Sequence, residues 1–338
     1  MTIKVNRQSF LSVLDKFEQM QNKNCHLFKL IYSKNSVNLL HSNFVTLCET
    51  IECEGVDDNE FECCISYDNV RKCFLYSVSE WITIKNNPKS LTFSSDDNIK
   101  LTVQKANDEI GLFKADFENN VLTITGQELS RVFSFYNILL NSEQFVLDHV
   151  VFISNETDTL PIIASNGYVC GYIELKTLQQ HKNATFGIHK SVLRLLQSYR
   201  NHDIIAMSIK NGLVTIYGNG FYIVTQDGMT GGKYPYQQIK ALLVNEPELS
   251  AFMFFDKLPP LDGKIKIFSD GNSIHFQLDE ETLSYHSQFP YDGIVNLNVY
   301  AKSLRQIPLE QTGYLGQTER VLYLMFESSR YTVTRVAQ

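Results

Sequence analysis

No stretch of about 18 or more consecutive apolar residues occurs in the chain, which excludes a membrane-spanning helix read from hydropathy. The opening Met1-Thr2-Ile3-Lys4-Val5 alternates apolar and polar residues like a strand. It lacks the apolar stretch of a signal peptide, so the chain is expected in the cytoplasm. Familiar active-site motifs are missing too. There is no Walker loop, no Gly-x-Gly-x-x-Gly after a strand, no Gly-x-Ser-x-Gly and no His-Glu-x-x-His. Gly218-Asn219-Gly220 is followed by strand-like Phe221–Val224 and reads as a turn. The eight histidines are scattered, and no segment is low-complexity. The seven cysteines lack the paired Cys-x-x-Cys spacing of a zinc site. Cys25, Cys48, Cys53, Cys63, Cys64 and Cys73 crowd the first quarter of the chain and are expected to be reduced and mostly buried. A basic excess is also absent: the net charge is -7, which by itself argues against a nucleic-acid partner.

What the chain does have is enough apolar residue, 43% of 338, for two or three ordinary cores, and a repeated pattern. Leu39-Leu40-His41-Ser42-Asn43-Phe44-Val45 resembles Ile162-Ile163-Ala164-Ser165-Asn166-Gly167-Tyr168-Val169. Each copy follows an amphipathic helix. The first is expected over Ser9–Met20, with Phe10, Leu11, Val13, Leu14 and Phe17 as its stripe. The second is expected over Gln127–Leu140, with Leu129, Val132, Phe133, Tyr136 and Leu140. Strands rich in β-branched and aromatic residues come next, at Val37–Leu40, Phe61–Ile65, Val150–Ile153 and Leu160–Ile163.

A further helix followed by a hairpin is expected three times. The helices are Asp68–Ser79, His189–Asn201 and Asn296–Gln306. The hairpins are Leu91–Val103, Ile204–Ile216 around Asn211-Gly212, and Val321–Val336. Ala251–Leu258 would open the third repeat as a short helix stopped by Pro259-Pro260, ahead of a hairpin around Asp270-Gly271. The pattern reads as α+β: three repeated domains over residues 1–118, 119–243 and 244–338, each with helices on one face of antiparallel sheets.

The charge is unevenly distributed. The segments 7–19, 68–79, 127–140, 189–201 and 296–306 hold 10 basic and 4 acidic residues, leaving -13 for the rest of the chain. Basic helices with acidic sheets suit a ring around DNA. Lys and Arg would meet phosphates, and phosphate contacts carry no sequence information, so they permit sliding.

Three segments then carry a resemblance across essentially the whole chain. Ala164-Ser165-Asn166-Gly167-Tyr168 is similar to an Ala-Thr-Asp-Gly-His/Tyr stretch. Gly232-Lys233-Tyr234-Pro235-Tyr236-Gln237-Gln238-Ile239 resembles Gly-x-Phe-Pro-Asp-Tyr-x-x-Val with one residue fewer. The end, Tyr331–Gln338, closes on a strand. In that order and spacing they resemble the bacterial β sliding clamp, the β subunit of the replicative polymerase, whose chains hold three similar domains and close head to tail as a dimer.

The resemblance implies the DNA-clamp fold and a non-enzymatic processivity factor. Duplex DNA, a DNA polymerase, a clamp-loader ATPase and a second copy of the chain would be the partners, with no cofactor and no membrane. It implies a partner-peptide pocket at Leu147, Ser165, Gly167, Tyr168, Val169, Cys170, Pro235, Gln238, Ile239, Thr334 and Val336. A shallow apolar groove with backbone polar groups at its edge suits an extended peptide. The family usually has Arg-Leu where this chain has Val169-Cys170, so peptide specificity is expected to differ.

DNA contacts are expected at Lys23, Asn24, Asn141, Phe145 and Lys190. The charge count adds Arg71, Lys72, Arg194, Arg200, Lys302 and Arg305. Two alternatives are carried forward. One is a clamp-like monomer binding DNA on one basic face. The other is a cytoplasmic enzyme with an unrecognised site, for which Cys170 with His149 is the candidate nucleophile pair. Asp279-Glu280-Glu281 reads as a solvated turn rather than a metal site.

Overall fold

The computed structural model describes the chain apart from residues 1, 21–25, 43–44, 56–59, 109, 141–146, 156, 230–233, 245–248, 255–262, 270–272, 279–280, 287–295, 309–311, 318–320, 327–328 and 335–338. Along the chain one order of elements recurs. The first copy runs β1 (Thr2–Asn6), α1 (Arg7–Met20), β2 (Leu27–Ser33), β3 (Ser36–Ser42), β4 (Val45–Gly55), β5 (Phe61–Ser66), α2 (Tyr67–Tyr76), β6 (Trp81–Asn86), β7 (Ser90–Ser95) and β8 (Lys100–Ala106).

The second copy opens with β9 (Asn120–Ile124), α3 (Gly126–Ser130), a 3-10 turn over Arg131–Phe135 and α4 (Tyr136–Leu140). It continues through β10 (His149–Ser154), β11 (Thr159–Ser165), β12 (Val169–Lys176), the short β13 (Gln179–Gln180), β14 (Ala184–His189), α5 (Lys190–Ser198), β15 (Ile205–Lys210), β16 (Leu213–Gly218) and β17 (Phe221–Gln226). After α6 (Tyr236–Val244) come β18 (Leu249–Phe254), β19 (Lys264–Ser269), β20 (Ser273–Leu278), β21 (Glu281–His286), β22 (Asn296–Tyr300), α7 (Ala301–Leu304), β23 (Thr312–Gln317), β24 (Val321–Met325) and β25 (Ser329–Thr334).

These elements gather into two compact units. Unit 1 holds residues 1–123 and 201–226; unit 2 holds 124–200 and 227–338. In unit 1 the antiparallel strands β2, β3 and β4 continue into β17, β16 and β15. In unit 2, β10, β11 and β12 continue in the same way into β25, β24 and β23, while β19 to β22 form a separate four-stranded sheet. Alternate strand residues point into each core, where Leu30, Val37, Leu39 and Leu47 of unit 1 are fully buried, as are Ile162, Phe152 and Phe186 of unit 2. In α1, Phe10, Val13, Leu14 and Phe17 are buried as their spacing predicts; Phe10 stacks on Phe74 of α2 at 4.3 Å between centroids. No helix among the described residues is long and apolar enough to cross a membrane.

Several expectations need correction. Residues 296–300 are a strand, not the start of a helix. Asn296-Leu-Asn-Val-Tyr alternates with period two, and Leu297 and Val299 lie opposite Ile267 and Ile265 of β19. Only Ala301–Leu304 is helical there. The helix expected at Ala251–Leu258 is instead strand β18, paired with β23, as far as Phe254; the remainder lies outside the described residues.

The helix over 127–140 is broken by its 3-10 centre. Three residues per turn shift the phase, so Leu129, Val132, Phe135 and Ile138 face the core, and Leu140 is left half exposed. α2 stops at Tyr76 because the Asp97 carboxylate accepts from the Val78 backbone N–H and from Ser77 Oγ. The hairpin at Asn211-Gly212 forms as expected, both residues having positive φ (53° and 72°). The six described cysteines, Cys48, Cys53, Cys63, Cys64, Cys73 and Cys170, are buried thiols.

Candidate functional site

The turn joining β11 to β12 in unit 2 is tied from within. The Asn166 carboxamide oxygen accepts from the backbone N–H groups of Tyr168 (3.0 Å) and Val169 (2.9 Å). Its nitrogen donates to the Ile138 carbonyl (3.0 Å) and to Gln306 Oε1 (2.7 Å). All four valences of a buried amide are thereby used, tying the turn to α4 and to Gln306. Gly167 takes φ +93°, a region a side chain disfavours, and its N–H donates to Ser165 Oγ. Tyr168 is thrust outward, 55% exposed, at the tip.

Beneath this turn lies an apolar cluster. Leu147, Val151, Ile163 and Cys170 pack with Tyr234, Ile239 and Leu243, and Ile153, Tyr172, Met229 and Tyr236 lie partly buried against them. Ile239 and Leu243 stand one turn apart on α6, so one stripe of a short helix closes the sheet face. Ser165 Oγ and Cys170 Sγ are 3.2 Å apart. Burial pushes the Cys170 thiol and the Tyr234 phenol up, so both stay protonated. That is the reverse of an activated thiolate. His149 packs edge-on against His189. Burial holds its imidazole down at about 4, with the neighbouring His189 adding to the effect. Among the described residues no group of three or more His, Cys, Asp or Glu could hold a metal ion.

Of the expected pocket residues, the structure brings Leu147, Cys170 and Ile239 into one cluster, with Ser165 and Gly167 hydrogen-bonded at its edge. Val169 is buried opposite Val333. Pro235 is partly buried and Gln238 exposed at the start of α6. Thr334 is the last residue of β25, and Val336 lies outside the described residues. Tyr234, Leu243 and Asn166 are central here yet absent from the expected set. Their signals were an aromatic before Pro235, an i, i+4 aliphatic pair after it, and an Asn-Gly turn.

The basic residues differ in setting. Lys23, Asn24, Asn141 and Phe145 lie outside the described residues. Arg71 is held by Asp15 and Glu18 of α1, each at 3.0 Å. Lys190 is held by Asp148 at 2.7 Å. Lys72, Arg194, Arg200, Lys302 and Arg305 are exposed, and Arg194 lies 4.7 Å over the Tyr136 ring.

No protein-family model matches the sequence, and no curated protein matches it. Solved structures do match. The Helicobacter pylori beta clamp bound to a DNA ligase peptide is 15% identical, with a TM-score of 0.83 and 100% of both chains covered. The DNA polymerase sliding clamp of Bacillus subtilis is 11% identical, with a TM-score of 0.83, covering 100% of this chain and 99% of that one. The DNA polymerase III beta chain of Streptococcus pneumoniae is 11% identical, with a TM-score of 0.83 over 100% of both. The chain has the DNA-clamp fold.

Proposed function

We propose that the chain is a DNA sliding clamp: a non-enzymatic cytoplasmic processivity factor that encircles duplex DNA and tethers a DNA polymerase. Its three domains would be residues 1–118, 119–243 and 244–338. Tethering raises the effective concentration of polymerase at the primer end, and no cofactor is needed.

The observation that carries the proposal is a pair of unmatched strand edges. The last strand of the second copy of the pattern, β17, pairs with β4; the last strand of the third, β25, pairs with β12. The same rule would place β8 against a strand equivalent to β4 and β12, and β21 is that strand. Among the described residues β8 is paired along its outer side only at Lys105 and Ala106, and β21 only with β20. β21 of a second copy on β8 would complete the rule twice and close a two-chain, head-to-tail ring. Leu75, Tyr76 and Val78, exposed at the end of α2 (which packs on β8), are the apolar surface such a contact would cover.

Exposed Lys72, Arg194, Arg200, Lys302 and Arg305 supply the phosphate-facing charge, and Lys190 would join them by exchanging Asp148 for a phosphate. Leu147, Cys170 and Ile239 with the Ser165–Val169 turn are the proposed site for peptides from the polymerase and a clamp-loader ATPase. That follows the ligase peptide borne by the Helicobacter structure.

Light scattering over a range of concentrations is the test. A mass near twice 38.8 kDa, and retention on circular but not linearised DNA, is the expected result. A mass that stays at 38.8 kDa at high concentration, with loss from circular DNA, would replace the ring with a one-faced monomeric binder.

A further inference from the structure

The connection from β8 to β9 (residues 107–119) and that from β17 to β18 (residues 227–248) occupy corresponding places in the repeated order. The second contains α6; the first contains no helix among its described residues. Strand registers show what lies beneath each. Leu40 stands opposite Cys48 as Ile163 stands opposite Tyr172, and Lys29 opposite Leu40 as Val151 opposite Ile163. Ile31, Leu40 and Cys48 of unit 1 therefore correspond to Ile153, Ile163 and Tyr172 of unit 2. In unit 2 Ile163 belongs to the cluster that α6 closes, and Ile153 and Tyr172 lie partly buried against it.

In unit 1 the extended connection is pinned to one side of that face. The Phe113 N–H donates to Thr46 Oγ1 (2.9 Å) and the Asp116 N–H to Thr215 Oγ1 (3.1 Å). The rest is an open groove of about 530 Å³ with Ile31, Leu40 and Cys48 as its floor. Phe117, Tyr217 and Tyr222 make an aromatic wall, with edge-to-face contacts at 5.1 and 5.7 Å, and Phe117 is 52% exposed. The wall is preset, because Tyr217 Oη donates to the Phe117 carbonyl (3.2 Å). Asn38 and Thr50, hydrogen-bonded to each other, form a neutral polar rim.

We propose that this groove docks an amphipathic helix of a partner protein, in the place that α6 takes in unit 2. The molecule itself supplies the template for the occupant. α6 shows that the corresponding face of unit 2 accepts a short helix presenting aliphatic side chains at i and i+4, with an aromatic residue ahead of a proline. The volume falls in the range of about 300–1,000 Å³ typical of ligand sites, and rigid aromatic walls give contact area without ordering cost. The neutral rim means the partner is selected by its apolar stripe and not by charge. The inference rests on the internal repeat alone and does not require DNA or a second copy.

The test uses the full chain and a fluorescent peptide of residues 234–244, held helical by a staple between positions 237 and 241. Both positions are exposed on α6 and lie off the packing stripe. Saturable anisotropy is expected, with affinity changing less than about twofold when salt is raised tenfold. Ile31→Asp should weaken binding by roughly tenfold or more. Thr50→Trp, which fills the rim from an exposed position, should do the same with the fold intact by circular dichroism.

Absence of saturable binding overturns the proposal. So does binding that Ile31→Asp and Thr50→Trp both leave alone, since the peptide would then be seated elsewhere, as in place of α6 in unit 2. Neither result touches the clamp reading, which is decided by mass and by DNA retention.

Discussion

Two sheet faces built on one strand plan meet different fates. In unit 2 the positions read Val151, Ile153, Ile163, Cys170 and Tyr172, apolar throughout, and α6 covers them. In unit 1 the corresponding positions read Lys29, Ile31, Leu40, Thr46 and Cys48. Lys29 pairs with Glu62 at 2.7 Å, and Thr46 binds the passing chain through Phe113. A wholly apolar face gains from a helical cover; a mixed one is served by an extended strap that leaves a groove. The repeated strand pattern sets the frame, and the residues of the face with the length of the following connection set what the frame presents.

The comparison breaks most readily at Ile239. It is buried in unit 2, so Ile239→Ala should cost about 3 kcal/mol in urea unfolding through lost contacts and a residual cavity. Ile31→Ala removes the same atoms from a partly buried position at the groove and should cost less, about 1 kcal/mol. Equal costs would mean that the unit 1 face is as covered as its counterpart.

Asn166 sharpens the contrast further. Asn166→Asp keeps the acceptor for Tyr168 and Val169 but removes both donors and sets a carboxylate against the Ile138 carbonyl and Gln306 Oε1. The expected loss is about 2 kcal/mol, seen as a lower urea midpoint. A change within experimental error would show that the turn is held by Gly167 and Ser165 alone.

How much of this could be read from residues alone depended on range. The Asn211-Gly212 hairpin, the α1 stripe and the turn at Ser165 are local, and local chemistry dictates them. The stripe over 127–140 was misplaced because helical periodicity was assumed where a 3-10 turn intervenes. The repeat predicts a helix from Asn296, but Asn296–Tyr300 alternates with period two and pairs with β19, so here the local period and not the repeat decides the structure. The site is the least legible part. Leu147, Cys170 and Ile239 come from three separated segments, and no pattern within any one of them says that α6 will lie across β11 and β12. The charge count points to Arg71 and the resemblance to Lys190, but neither signal carries the long-range fact that carboxylates on neighbouring segments pair with them.

The smallest expected effect concerns acid. Unit 1 has buried His41 and unit 2 has buried His149; burial lowers both, His149 to about 4. Each is neutral in the fold and would be protonated first in the unfolded chain, whose histidines titrate near 6.5. Stability is therefore fully present above pH 6.5 and is lost as pH falls towards about 4 for His149. A single histidine can contribute at most about 1.4 kcal/mol per pH unit over that window. His149→Gln should flatten the acid limb of a melting-temperature profile by up to one proton and leave the plateau at pH 7 to 8 lower only by its packing cost. An unchanged slope would mean that the imidazole beside His189 is already reached by water, and that unit 2 is no more tightly sealed around this residue than a surface would be.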